Sequence, residues 1–291
     1  MLKGYKCRLS DLTRGRDMAT IATPLVQREQ RPDILSGTPR AHAIDRWIYV
    51  FTAASFILIV LVGFIPDSLM KLAMVKAGTR PPLPFVMHIH AVLMASFLLL
   101  VLAQTLLMAT GRSALHRTLG LTAMVLAPAL VIAGGVLAAT NYHAAWDAAQ
   151  SGTPIMRTAM TARVPQLDNI LLLQLQIAFL FSLFLAIGLQ ARGKDAGFHK
   201  RMLMLATAMP LPAAIDRMQW LPSTFPSSPL STELYVVLAL SPMIVWDVVR
   251  NRSVHSAYRV WLPIYVAACV AQNLLWNTAG WHSTARHIMG V

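Results

Sequence analysis

Five stretches of this chain run for 19 residues or more without a charged side chain, and the first four decide which solvent its helices must meet. These four are Trp47 to Ile65, Phe85 to Ala109, Thr118 to Asn141 and Asn169 to Gln190. A helix needs roughly 20 apolar residues to cross about 30 Å of hydrocarbon, so each run is long enough to span a bilayer. Of three further runs, two are short and interrupted. Met202 to Ile215 contains Pro210 and Pro212, and Leu234 to Trp246 contains Pro242. Each reaches span length only with its flanks, about 199–218 and 230–249. Val260 to Ala279 is the last. Prolines are tolerated in membrane helices where neighbours satisfy the freed carbonyls. The expected fold is therefore all-α: a polytopic membrane helical bundle of about seven transmembrane helices. Losing both weak runs leaves five spans and the same end topology, whereas losing one flips the C-terminus.

Composition agrees. Only 13% of the 291 residues are charged and 56% are hydrophobic, against about 25% and 45–50% in soluble domains. The net charge of +13 would point to nucleic acid in a soluble protein. Here the bases flank apolar runs, so membrane lipid is the expected partner and nucleic acid is not. Cys7 and Cys269 stand in a polar tail and an apolar run, which gives neither a disulfide framework nor a CxxC site.

Lys and Arg in the short loops set orientation. With seven spans, the side of the N-terminus carries 18 of them and the other side 7. This predicts a bacterial inner-membrane protein with a cytoplasmic N-terminus and an external C-terminus, its cytoplasmic face meeting anionic lipid. Residues 1–46 read as a flexible cytoplasmic tail, 47–279 as the membrane domain and 280–291 as a short external tail. Met18 opens a second plausible start.

The chain repeats a local pattern. The turn after the second run is Gly111-Arg112-Ser113-Ala114-Leu115-His116-Arg117, and the turn after the fourth ends Phe198-His199-Lys200-Arg201. Each has a Gly, a base, small residues, an apolar residue, a His and a base before an apolar helix. This suggests two hairpins forming a four-helix core over about residues 85–218, related by an axis along the membrane normal. His116 and His199 then fall in one leaflet, 83 residues apart in sequence. Two imidazoles facing across a bundle suit haem b, with Arg117 and Arg201 available to its propionates. The competing reading is an ordinary interfacial anchor, in which the bases meet anionic lipid.

A second polar set lies at the opposite ends of the spans: His88, His90, Asp168, Asn169, Asp216 and Arg217, with His143, Trp146 and Asp147 near by. His88 and His90 point about 200° apart on a helix, so at most one faces the interior. His88 or His90 with Asp168 and Asp216 would make a divalent-metal or proton-transfer set. The alternative is an Asp216–Arg217–Asp168 ion-pair cluster that locks helices. Met202, Met204 and Met209 read as packing rather than copper ligands. The sixth and seventh runs carry no ionisable residue in their apolar cores and read as packing partners.

The order His88-x-His90, His116-Arg117-x-x-Gly120, His199-Lys200-Arg201-Met202 and Asp216-Arg217 resembles a family of bacterial multi-span membrane proteins of unknown function. The likeness covers about residues 85–218 and implies a fold without an activity. A looser similarity is to the membrane cytochrome b superfamily, where histidines on alternate helices of a four-helix core hold haem. That resemblance implies His116 and His199 as an axial pair. The chain departs from it at the other pair, since Asp168 and Gln174 stand where a partner for His88 or His90 is needed.

Three functions follow. The first is a haem- or metal-binding redox protein exchanging electrons with a quinone or soluble donor. The second is a non-catalytic subunit or assembly factor of a membrane complex. The third is a small-solute or proton carrier, supported by the proline-broken runs.

Overall fold

The computed structural model describes residues 43–291; the expectations for the tail before Ala43, including Cys7 and the Met18 start, lie outside the described residues. Ten helices and no strand occur among the described residues. They are α1 (Ala43–Lys76), α2 (Phe85–Ala109), α3 (Ser113–Gly120), α4 (Ala123–Ser151) and α5 (Pro154–Gln190). After these come α6 (Ala196–Ala208), α7 (Pro212–Ile215), α8 (Leu230–Asn251), α9 (Ser256–Leu275) and α10 (Ala279–Met289).

Five of these, α1, α2, α4, α5 and α8, are long and apolar enough to cross a membrane. They correspond to the first four runs and the sixth. The fifth run is broken. Pro210 has no amide hydrogen to continue the ladder, so α6 ends at Ala208 and Pro212 starts the four-residue α7. The seventh run becomes α9, whose 20 residues include Tyr265, Gln272 and Asn273. Apolar side chains are exposed around the whole bundle: Phe51 on α1, Val125 on α4, Phe179 on α5, Leu238 on α8 and Leu274 on α9. A soluble monomer rarely exposes so continuous an apolar surface. Lipid is the solvent that fits it, and the protein is a membrane helical bundle.

The core is built differently from two isolated hairpins. Helices α2, α4, α5 and α6 pack in that order, and α1 closes the ring by packing against both α2 and α6. Phe56 of α1, Phe97 of α2, Leu130 of α4, Phe184 of α5 and Leu205 of α6 meet in one buried cluster. Phe97 and Phe181 cross it edge to face at 5.2 Å. Helices α8 and α9 lie outside this ring, against α1, α6 and α5. The C-terminal residues expected as a tail instead form α10, which buries Trp281 and Ala285 against α5 and α4.

Local chemistry fixes the turns. Pro84, extended at ψ 143°, precedes α2, and Pro154 opens α5 beside its cap Thr153. Asp195 caps α6, its carboxylate accepting from the Phe198 amide at 2.8 Å. Gly111, at φ +78°, turns the chain from α2 into α3. Gly63 serves a close approach: a Cβ there would lie 2.2 Å from the Ala214 carbonyl oxygen of α7.

That obstacle is backbone and cannot yield. Gly63→Ala is expected to lower stability by ~1–3 kcal/mol. Gly188→Ala is expected to cost less, because its methyl meets the movable Cδ2 of Leu203. Thermal unfolding of the two variants in detergent checks the order.

Candidate functional site

Two histidines stand together at the end of the bundle where α3 and α6 begin. His116 is half-buried in the second turn of α3. Its Nδ1 is buried and makes no well-formed hydrogen bond. Gln104 of α2 is its polar neighbour, and both amide atoms of that side chain are buried without a partner. A Cβ at Gly120, one turn beyond His116, would sit in ordinary contact, 3.6 Å from the Gln104 amide nitrogen.

His199 lies one turn past the Asp195 cap. Its Nδ1 is 2.7 Å from the Gly188 carbonyl oxygen of α5. A carbonyl only accepts, so Nδ1 carries the proton and Nε2 keeps a lone pair, the tautomer of a metal-ligating imidazole. The missing side chain at Gly188 lets α6 approach this closely: a Cβ would meet Leu203 Cδ2 at 2.4 Å. The two rings are near enough for their charges to interact. Burial is the main cause that pushes the His116 pKa below the free imidazole's 6.5, and the charges of His199 and Arg117 push it the same way against the Gln104 backbone. His116 is therefore held neutral, its lone pair available at neutral pH.

The two bases of the repeat part company. Arg117 is exposed. Arg201 is fully buried, where its Nε and Nη2 donate to Asp247 of α8 at 2.5 and 3.0 Å, and Nη1 donates to the Gly197 carbonyl at 2.8 Å. The Tyr258 hydroxyl of α9 donates to the same carboxylate at 2.5 Å. Arg201 is thus a packing residue joining α6, α8 and α9 rather than a headgroup-level cation.

The expected outer set does not assemble. His88 is exposed, while His90 turns inward against Gly134 of α4, 3.3 Å from where a Cβ would be. That division follows the 200° separation read from sequence. Asp168 is fully buried and accepts from Tyr142 at 2.6 Å, with His282 Nδ1 at 2.9 Å and Arg286 at 3.5 Å. Its backbone carbonyl accepts from the Trp281 indole at 2.8 Å. Arg217 pairs with Asp67 of α1 at 3.2 Å and lies over Phe64, so it does not bridge Asp168. Asp216 is half-buried beside Arg217. Both the His–Asp metal set and the Asp216–Arg217–Asp168 lock are therefore corrected. No three His, Cys, Asp or Glu side chains gather as a metal site among the described residues.

Several partners were not found from the sequence. Asp45 is buried and accepts from Trp246 at 3.0 Å and Arg250 at 3.3 Å, which draws α1 into the region expected as tail. Asp247 and Glu233 flank the sixth apolar run, and His282 and Arg286 sit in the expected tail. The one signal for Asp247 is its place: an acid beside a lipid-solvated run needs a partner. No family model, curated protein or solved structure matches the chain.

Removing one partner of the Arg201–Asp247 pair strands a buried charge. Arg201→Met is expected to cost ~3–5 kcal/mol, and the double change Arg201→Met with Asp247→Leu to restore most of it. Unfolding midpoints of the single and double variants measure this. The neutral His116 gives a separate pH signature. A lowered folded-state pKa means that the unfolded chain binds more protons below 6.5, so stability is full above that pH and falls as the pH drops through it. His116→Gln should flatten the slope, as read by unfolding midpoints between pH about 5 and 8.

Proposed function

We propose that this is an inner-membrane redox protein that holds haem b between His116 and His199. The observation that carries the reading is the pairing of an imidazole locked by Gly188 into the Nε2-free tautomer with a second, neutral imidazole within electrostatic reach. The buried, unpartnered amide of Gln104 beside His116 marks the same place as wanting a ligand. His116 and His199 would hold the haem, and Arg117, exposed one residue past His116, would be available to its propionates. Haem held this way supplies one-electron transfer. The chain's own residues fix the His199 ring through the Gly188 carbonyl and keep the His116 imidazole neutral by burial.

In this reading the chain crosses the membrane seven times, the broken α6–α7 pair and α9 completing the five longer spans. The N-terminus is cytoplasmic and the C-terminus outside. The histidine end then faces the cytoplasm, where a quinone or a soluble donor exchanges electrons. The likeness of the motif order to the bacterial multi-span family, and more loosely to membrane cytochromes b, supports the same arrangement. A second reading, a non-catalytic subunit of a membrane complex, is favoured by one observation. Arg201, Asp247, Asp45, Asp168 and Arg217 are all engaged in helix-to-helix bonds.

An absorption spectrum of detergent-purified protein from haem-replete cells decides. A Soret band should appear, vanish in His116→Ala and in His199→Ala, and persist in His88→Ala. A protein with no such band and no bound metal is the subunit.

A further inference from the structure

A second cluster of unsatisfied polar atoms lies at the opposite end of the bundle, where α8 begins and α9 ends. Glu233, in the first turn of α8, is 5% exposed. Its Oε2 accepts from Asn273 at 2.8 Å, while its Oε1 is buried without any partner. Gln272 of α9 is 2% exposed, and neither its amide oxygen nor its nitrogen has a partner. The Gln176 amide oxygen of α5 is likewise buried and unpartnered.

These groups share one place. Tyr265, Cys269 and Gln272 recur at i, i+4 and i+7, so they line one face of α9. Cys269 lies beside Glu233, and its sulfur accepts from the Gln176 amide at 3.8 Å. The Tyr265 hydroxyl donates to the Glu233 backbone carbonyl at 2.9 Å. Three helices therefore place buried, unpartnered oxygens around Cys269: Glu233 and Gln176 each bond it, and Gln272 follows one turn later on its face of α9.

The chemistry selects the occupant. The side chains that bond the Glu233 carboxyl, Asn273 and Cys269, are uncharged. A buried carboxylate without a cation is costly in a membrane protein. A proton on Oε1 could satisfy one of the two carboxamide oxygens and would leave the other unpartnered. A divalent ion would leave an uncompensated positive charge against one carboxylate. Hard alkali cations take oxygen ligands, and one negative charge balances one such ion. We propose that Glu233, Gln272 and Gln176 bind a monovalent cation, sodium, between α5, α8 and α9. This site is independent of the haem reading, since it uses none of the same residues.

The test uses the full-length protein in detergent, with NaCl replacing choline chloride at constant ionic strength. A ligand that binds only the folded state raises the unfolding midpoint in a saturable way, by roughly 5 °C here at large excess. Choline should give no shift, and potassium a smaller one than sodium. Glu233→Gln should abolish the response, and Gln272→Leu should raise the half-saturating concentration roughly tenfold or more. Equilibrium dialysis of radioactive sodium against the unmodified protein keeps the proposal open to test if a variant does not fold, with about one ion per chain expected on the charge balance. Identical midpoints in sodium and choline, no retained sodium, or a full response in Glu233→Gln would each overturn it. A shift that follows pH alone would assign the site to a proton and overturn it too.

Discussion

Hydrocarbon offers no hydrogen bonds, so a charged side chain that enters this bundle needs a partner on another helix. The Arg201–Asp247–Tyr258 cluster is the clearest case. Its three members come from α6, α8 and α9, and the arginine is entirely cut off from solvent. Helix α6 has only 13 residues and ends at a proline break. Too short to be stable alone, it is held by this bidentate pair, and His199 rides on the turn just before Arg201. The candidate histidine site thus depends on an ion pair that includes neither histidine.

The same constraint explains how α1 and α10 join the body. Asp45 ties α1 to α8 through Trp246 and Arg250, and Asp168 ties α5 to α10 through His282 and Trp281. In each, a buried carboxylate gathers two or more donors from a distant element. Multiple donors offset the desolvation of the ion better than one partner can. The polar ends of the helices are consequently used up in assembly. That is why the outer His–Asp–Arg residues, which look convergent along the sequence, serve separate joints.

Legibility followed the range of the interaction. The first four spans could be read because a charge-free run is a property of neighbouring residues. The break in the fifth run was visible as Pro210 and Pro212 for the same reason, and so was the division of labour between His88 and His90. The joints were not readable. Arg201 and Asp247 are 46 residues apart, Asp168 and His282 are 114, and Asp67 and Arg217 are 150. No periodicity links such pairs. The C-terminal helix hid because α10 is short and amphipathic, with an apolar content too low to register beside the spans. Of the candidate site, His116 and His199 were legible as a repeat, whereas the roles of Gly188 and Gln104 emerge only once α5 and α2 are in place.

The two proposed sites share α5, and this sets how they must influence each other. Gly188, which orients His199, and Gln176, which faces the cation cluster, are 12 residues apart on one helix, or about 18 Å at 1.5 Å per residue. A unit charge at each end interacts by about 1 kcal/mol at an effective dielectric of 20. A cation at the Glu233 end therefore favours an extra negative charge at the histidine end, and the reverse holds by the same amount. The coupling needs no conformational change, because a packed helix fixes the separation. Its sign follows from charge alone: on the haem reading proposed above, sodium at the Glu233 end makes electron uptake at the histidine end easier, and Glu233→Gln removes the difference.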